Sequence, residues 1–371
     1  MTEIGRKSFE LLASRGRGVG LELLLSRRGF ATAPSGHPLD ELFAHERLSG
    51  EPPPFAWTML EFMDAALENV HAHRLGFEPW LDNRLQAVWS TDESAARGAL
   101  TELEALGTTQ QAFPTCLPVS ENRQNQTPDF EVPGEFCVEA YCPRTSTTDR
   151  EDVAAELAAQ TGMVKLAISR PLTGSRGASL DYPASKVIDR LLNAKRSSRQ
   201  YRDGVPNILY VDARREWKLS GKDVLPFRST YSLGHHWIGT FGVWHAFYGA
   251  IGRRSLLCDR VALRFLHAAQ VHEQVEEGLF RAAPEWSASI VALTDGIVVF
   301  ENPWARFLLT KEAIRKSFLL PRMRAELSWY RTDDSADFEL DIERMLHRIE
   351  WTFREAERDD EAPSGAPSSQ R

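Results

Sequence analysis

Apolar positions recur at helical spacing through the first third of the chain, and then the period changes. From Trp57 to Leu106 the residues Met59, Phe62, Met63, Ala66, Leu67 and Val70 fall three and four positions apart, which sets them on one helix face. A second helix is expected over roughly Asp92 to Leu106, with Asp92 as its cap and Gly107 as its stop. Residues 1 to about 50 also read as helical and loosely organised, up to the break at SGEPPP (49–54). Past Gly107 alternation takes over. QAFPTCLPV (111–119) reads as a strand, and a polar loop, ENRQNQ, leads into TPDFEVPGEFCVEAYCP (127–143). There Phe130, Val132, Phe136 and Val138 alternate in two short runs around Pro133-Gly134-Glu135, the pattern of a β-hairpin.

The remainder of the chain alternates between strand and helix signals. A helix is expected near 150–162, a strand at MVKLAIS (163–169), a basic helix from about Pro183 to Arg202, and a buried strand at PNILYVDA (206–213). HHWIGTFGVWHAFYGAIG (235–252) is aromatic and glycine-rich, either a loop with a helix or an insertion on the core. SIVALTDGIVVFENP (289–303) predicts a hairpin turning at Asp295-Gly296, with a helix from about Lys311. Phe338, Ile342, Met345, Ile349 and Phe353 form a helical stripe, and EAPSGAPSSQR reads as disordered. The sum is an α/β class: a mixed central sheet flanked by helices, with helical extensions at both ends. The expected division is a helical N-terminal extension over 1–56, a main domain over 57–330, and an acidic helix and tail over 331–371.

The hairpin poses a chemical question. With a three-residue loop, Val132 faces Phe136, Phe130 faces Val138, and Asp129 faces Glu139. Like charges set opposite each other destabilise a sheet unless something binds them or one takes up a proton. A solvated hairpin face is the plain alternative, since antiparallel sheets often keep one wet side.

Charge and cysteine content narrow the setting. The net charge is −8, but Arg331 to Arg371 carries twelve acidic against six basic residues, which leaves −2 for the first 330. Between Asp181 and Arg202 six basic residues face two acidic ones. Global charge therefore gives a nucleic-acid partner no support and does not exclude one. The four cysteines form no CxxC pair, which speaks against a zinc site or a disulfide framework and for a reducing, cytoplasmic setting. No apolar run reaches the roughly 18 residues of a membrane span. The N-terminal arginines and the segment RRGFATAP have some character of a transit peptide, but Glu3, Glu10 and Glu22 interrupt it, and no secretory apolar region is present.

TPDFEV, a short turn, FCVEAY, then KVIDRLLNAKRSSRQY and PNILYVD, in that order, resemble the PD-(D/E)XK nuclease superfamily, whose fold is restriction-endonuclease-like. The resemblance spans about residues 93–310, and FENPWARFLL is similar to a segment of several uncharacterised bacterial members. It implies a hydrolase acting on phosphodiester bonds with Mg²⁺ or Mn²⁺, held by Asp129 and Glu139 with help from the Ala140 carbonyl, oxygen ligands that suit a hard cation. A third acid from the preceding helix would be Glu93, with Glu102 and Glu104 competing. On the basic helix, Lys186, Arg190, Lys195, Arg196, Arg199 and Gln200 would contact phosphates, Lys195 and Gln200 matching the family's helix positions best. A solvated charged face is the other reading of that helix.

The departure is Tyr141, which stands where the motif has lysine. A tyrosine hydroxyl can hydrogen-bond water or phosphate but, with a reference pKa of about 10, supplies no cation. Either a lysine reaches the site from elsewhere (Lys165, Lys186 or Lys195), or the chain is a catalytically inactive module that binds nucleic acid or a protein partner. The N-terminal helices and the acidic tail are the expected surfaces for such a protein partner; no membrane partner is expected. Two further clusters read more simply. His235, His236 and His245 lie among Trp237, Phe241, Trp244 and Phe247, which favours aromatic packing over a metal site, and GSRG (174–177) lacks the end of a P-loop.

Overall fold

The computed structural model describes residues 5–26, 37–43, 54–72, 77–119, 127–143, 200–214, 219–221, 224–226, 232–233, 236–237, 243–257, 270–273, 277–317, 319–320, 322–331 and 337–361. Helices α1 (Arg6–Ala13), α2 (Val19–Ser26), α3 (Pro38–Leu42), α4 (Pro54–Ala72), α5 (Glu78–Val88) and α6 (Glu93–Ala112) come first. Strands β1 (Leu117–Pro118), β2 (Phe130–Val132), β3 (Phe136–Tyr141) and β4 (Asn207–Asp212) follow. Next are β5 (Ser232–Leu233), β6 (His236–Trp237), α7 (Val243–Tyr248), β7 (Arg254–Leu257), β8 (Gln270–Glu273) and α8 (Leu279–Ala282). The chain then forms β9 (Ala288–Leu293), β10 (Gly296–Glu301), α9 (Lys311–Ser317), a 3₁₀ turn (Ala325–Leu327) and α10 (Phe338–Glu361).

The class is α/β with a mixed six-stranded sheet in the order β1-β2-β3-β4-β9-β10. β1, β2 and β3 pair antiparallel, β3, β4 and β9 run parallel, and β10 returns antiparallel to β9. The residues group into two compact units. One comprises Met1–Arg144, Ser198–Gly221 and Pro284–Tyr330 and holds this sheet with α1 to α6; the other comprises Thr145–Ser197, Lys222–Ala283 and Arg331–Arg371.

In the sheet unit, residues on both sides of position 56 share one core. Leu12, Leu21, Leu24 and Leu25 are fully buried with Met59, Met63 and Leu67 of α4 and with Phe130, Val138 and Tyr210 of the sheet. The carboxylate of Asp64 on α4 accepts the Gly18 and Leu21 amides at 2.9 and 2.7 Å, satisfying donors that the start of α2 leaves open. Asp92 caps α6 as its sequence predicts, its Oδ1 accepting the Ser94 amide at 2.9 Å.

Gly107 does not end that helix; α6 runs to Ala112. A Cβ on Gly107 would lie 2.5 Å from the Phe62 carbonyl oxygen, so the glycine serves the close crossing of α4 and α6. The continued helix absorbs the start of the expected strand at 111–119, of which only Leu117–Pro118 pairs. The β2–β3 hairpin keeps the predicted register, Phe130 opposite Val138 and Val132 opposite Phe136, with Gly134 in the left-handed region at φ 76°. The β9–β10 turn is offset by one residue: Gly296 pairs with Leu293, which leaves Thr294 and Asp295 as the loop. Residues 322–330 then run beside β10, bridging Ile297 to Met323 and Phe300 to Trp329.

The second unit contains an aromatic core. Tyr248 and Phe280 stack edge-on with ring centroids 5.3 Å apart, Phe247 and Phe280 lie at 4.9 Å, and Trp244 is fully buried. Of the stripe expected on α10, Phe338, Ile342 and Ile349 are buried, Met345 is half-buried and the side chain of Phe353 lies outside the described residues; Leu346 is buried beside them, and Glu343 pairs with Arg281 of α8. The expected helix at 150–162, the strand at 163–169, the basic helix up to position 199 and the tail from 362 lie outside the described residues.

Candidate functional site: acids at the carboxyl edge of the sheet

Because β3, β4 and β9 run parallel, their C-terminal ends share one edge of the sheet, and antiparallel β2 and β10 begin there. Asp129 enters β2 at this edge, while Glu139, Ala140 and Tyr141 close β3. Continuing the hairpin register by one residue sets Asp129 across from Glu139. The two acids are held differently. Asp129 is half-buried, and its Oδ2 accepts the Ala140 backbone N–H at 2.8 Å, which fixes the carboxylate against the end of β3. Glu139 is only 2% exposed. A carboxylate so far from water requires hydrogen-bond donors, a cation or a proton. Tyr141, one pleat further on the same face, is half-buried.

Side-chain alternation assigns faces. Phe136, Val138, Ile208 and Tyr210 share the core with the helices. Glu139 points to the opposite face, in register with Leu209, Ser289 and Phe300. The three candidate acids of α6 each meet an arginine: Glu93 pairs with Arg97 at 2.6 Å, Glu102 with Arg84, and Glu104 with Arg214. Lys165, Lys186, Arg190, Lys195, Arg196 and Arg199 lie outside the described residues, and Gln200, half-buried, opens the loop that enters β4.

A second polar group at the same edge was not anticipated as a unit. Arg214, just past β4, pairs with Glu104 and lies 3.0 Å from Asp212, while Thr101 donates to Asp212 at 3.3 Å. Glu104 and Asp212 are 1% and 0% exposed. Burial works against the charge on Arg214, but the carboxylates of Asp212 and Glu104 outweigh it and hold its pKa well above the ordinary value. Tyr210, fully buried beside this group, has its hydroxyl pKa pushed up by burial. The signal in the sequence was a polar row on α6: Arg97, Thr101, Glu104 and Thr108 lie four, three and four residues apart and are all buried.

The donor set suits a hard divalent cation to a limited degree. Asp129 and Glu139 offer carboxylate oxygens from adjacent strands, and Mg²⁺ is commonly held by one or two carboxylates plus waters and substrate phosphates. Among the described residues, no group of three or more His, Cys, Asp or Glu is arranged to hold a metal ion. His245 is a core residue: its Nε2 lies 3.2 Å from the Pro226 carbonyl, and burial pushes its pKa down to about 4. Cys137 is also interior, its thiol raised to about 11 by burial. No family model, curated protein or solved structure matches the chain.

Proposed function

We propose that the chain is a metal-dependent phosphodiesterase of the PD-(D/E)XK type acting on DNA or RNA. The observation that carries this reading is the pairing of Asp129 with Glu139: two carboxylates from adjacent strands at one sheet edge, the first fixed by the Ala140 amide, the second buried. The strand order supports it. The hairpin bearing the acids is followed by a strand parallel to its second arm, which requires a crossover of a dozen or more residues, where the basic segment falls. In this reading Asp129 and Glu139 hold Mg²⁺ or Mn²⁺, the Ala140 N–H orients the Asp129 carboxylate, and Tyr141 donates to a phosphate oxygen or water. When bound, the cation polarises the phosphate and lowers the pKa of the attacking water.

The test is incubation of purified protein with single- and double-stranded DNA and RNA in Mg²⁺ or Mn²⁺. Cleavage is expected and should be lost in Asp129→Ala. Cleavage unchanged in that variant would remove Asp129 from the site. No cleavage under any condition favours the second reading, a catalytically inactive module of this fold that binds nucleic acid, to which Tyr141 in the lysine position points.

A further inference from the structure

Arg322 is the one residue other than glycine with a positive φ among the described residues, at 54°. The left-handed region is unfavourable for a side chain with a Cβ, and glycine occupies it freely. The backbone there is held by β10: the Ile297 amide donates to the Arg322 carbonyl at 3.2 Å, and the Arg324 amide donates to the Ile297 carbonyl at 2.7 Å. A Cβ on Gly296 would come within 2.9 Å of the Arg322 carbonyl oxygen, so the two backbones are in close approach. Strained positions that persist point to a use for the side chain.

The side chain of Arg322 is exposed, and no carboxylate pairs with it among the described residues. Its neighbour differs: Arg324 is held by Asp295 at 3.0 Å and by Glu326 at 2.7 Å. Arg322 also lies on the carboxyl edge. Ile297, beside it, is in register with Ala292, and Ala292 with Asp212, one step past the row of Tyr141. From β3 to this segment is four strand spacings, or about 19 Å. At about 3.4 Å per nucleotide along one strand, that span is between five and six nucleotides.

We propose that Arg322 contacts the phosphate backbone of a nucleic acid lying along the carboxyl edge, five to six nucleotides from the phosphate at Asp129 and Glu139. The proposal rests on the phosphodiesterase reading. Its test measures binding to DNA and RNA oligonucleotides of about 20 nucleotides, single- and double-stranded, as a function of salt without divalent cation. The full chain is compared with Arg322→Gln, Arg322→Gly, Arg322→Lys and Asp129→Ala. Expected is a three- to tenfold loss of affinity and a salt slope lower by about one in Arg322→Gln and Arg322→Gly, with Arg322→Lys near the parent. Arg322→Gly should keep or raise the Tm while losing affinity, an opposition that a merely structural role would not produce. Parent-like affinity and salt slope in both neutral variants overturn the proposal. Cleavage is followed in parallel with Mg²⁺ present, and its loss in Asp129→Ala with binding intact keeps the two claims separate. If the parent binds no nucleic acid, both fall.

Discussion

Arg214 stands between Glu104 and Asp212, two carboxylates almost wholly removed from water. Removing one partner of such a group leaves uncompensated charge in the interior. Arg214→Met should therefore destabilise the protein by about 3–5 kcal/mol, read by urea denaturation. A loss under about 1 kcal/mol would mean that water reaches the cluster. His245 gives a prediction in pH. Its folded pKa, about 4, lies below the unfolded value near 6.5, so the unfolded chain binds the extra proton between them. Stability at pH 7 is unaffected and falls as pH drops through that window, by about 3 kcal/mol at pH 4 from this residue. His245→Phe should flatten that part of the curve; an unchanged slope would show the imidazole to be solvated. The two cases differ in legibility. The aromatic neighbours of His245 are adjacent in sequence and announce a core. Glu104 and Arg214 are 110 positions apart, and nothing local to either names the other.

At the scale of elements, two glycines of α6 carry opposite meanings. Gly98 has open space where a Cβ would point, so Gly98→Ala should gain about 0.5–1 kcal/mol from helix propensity. Gly107 meets the Phe62 carbonyl at 2.5 Å, so Gly107→Ala should force α4 and α6 apart and cost about 1–3 kcal/mol despite the same propensity gain. Thermal unfolding of the pair measures this, and equal shifts would contradict the crossing. The sequence marks Gly107 as a helix stop because the helical apolar pattern fades there; the reason for the glycine lies on another helix. The hairpin was legible because its register is set by alternation and a three-residue turn, both local. Its acids were legible too. What holds Asp129, the Ala140 amide, depends on how the chain enters β2 and could not be read from residue types.

Over the whole molecule, neither compact unit is a continuous stretch of chain; each is assembled from three segments. A fragment beginning at residue 57 would lose the buried leucines at 12, 21, 24 and 25, each worth about 1.5–3 kcal/mol of burial. It is expected to be insoluble or unfolded by circular dichroism, and a cooperative transition at the parental Tm would refute the shared core. Sequence pattern cannot disclose such interleaving, since every segment boundary looks like an ordinary loop. The segment beside β10 has a last consequence. Residues 322–330 occupy the hydrogen-bonding groups of that outer strand at Ile297, Val299 and Glu301. Strand addition, the usual route by which an open sheet recruits a second copy or seeds a fibril, is closed on that side, so an assembly there must be built from side chains.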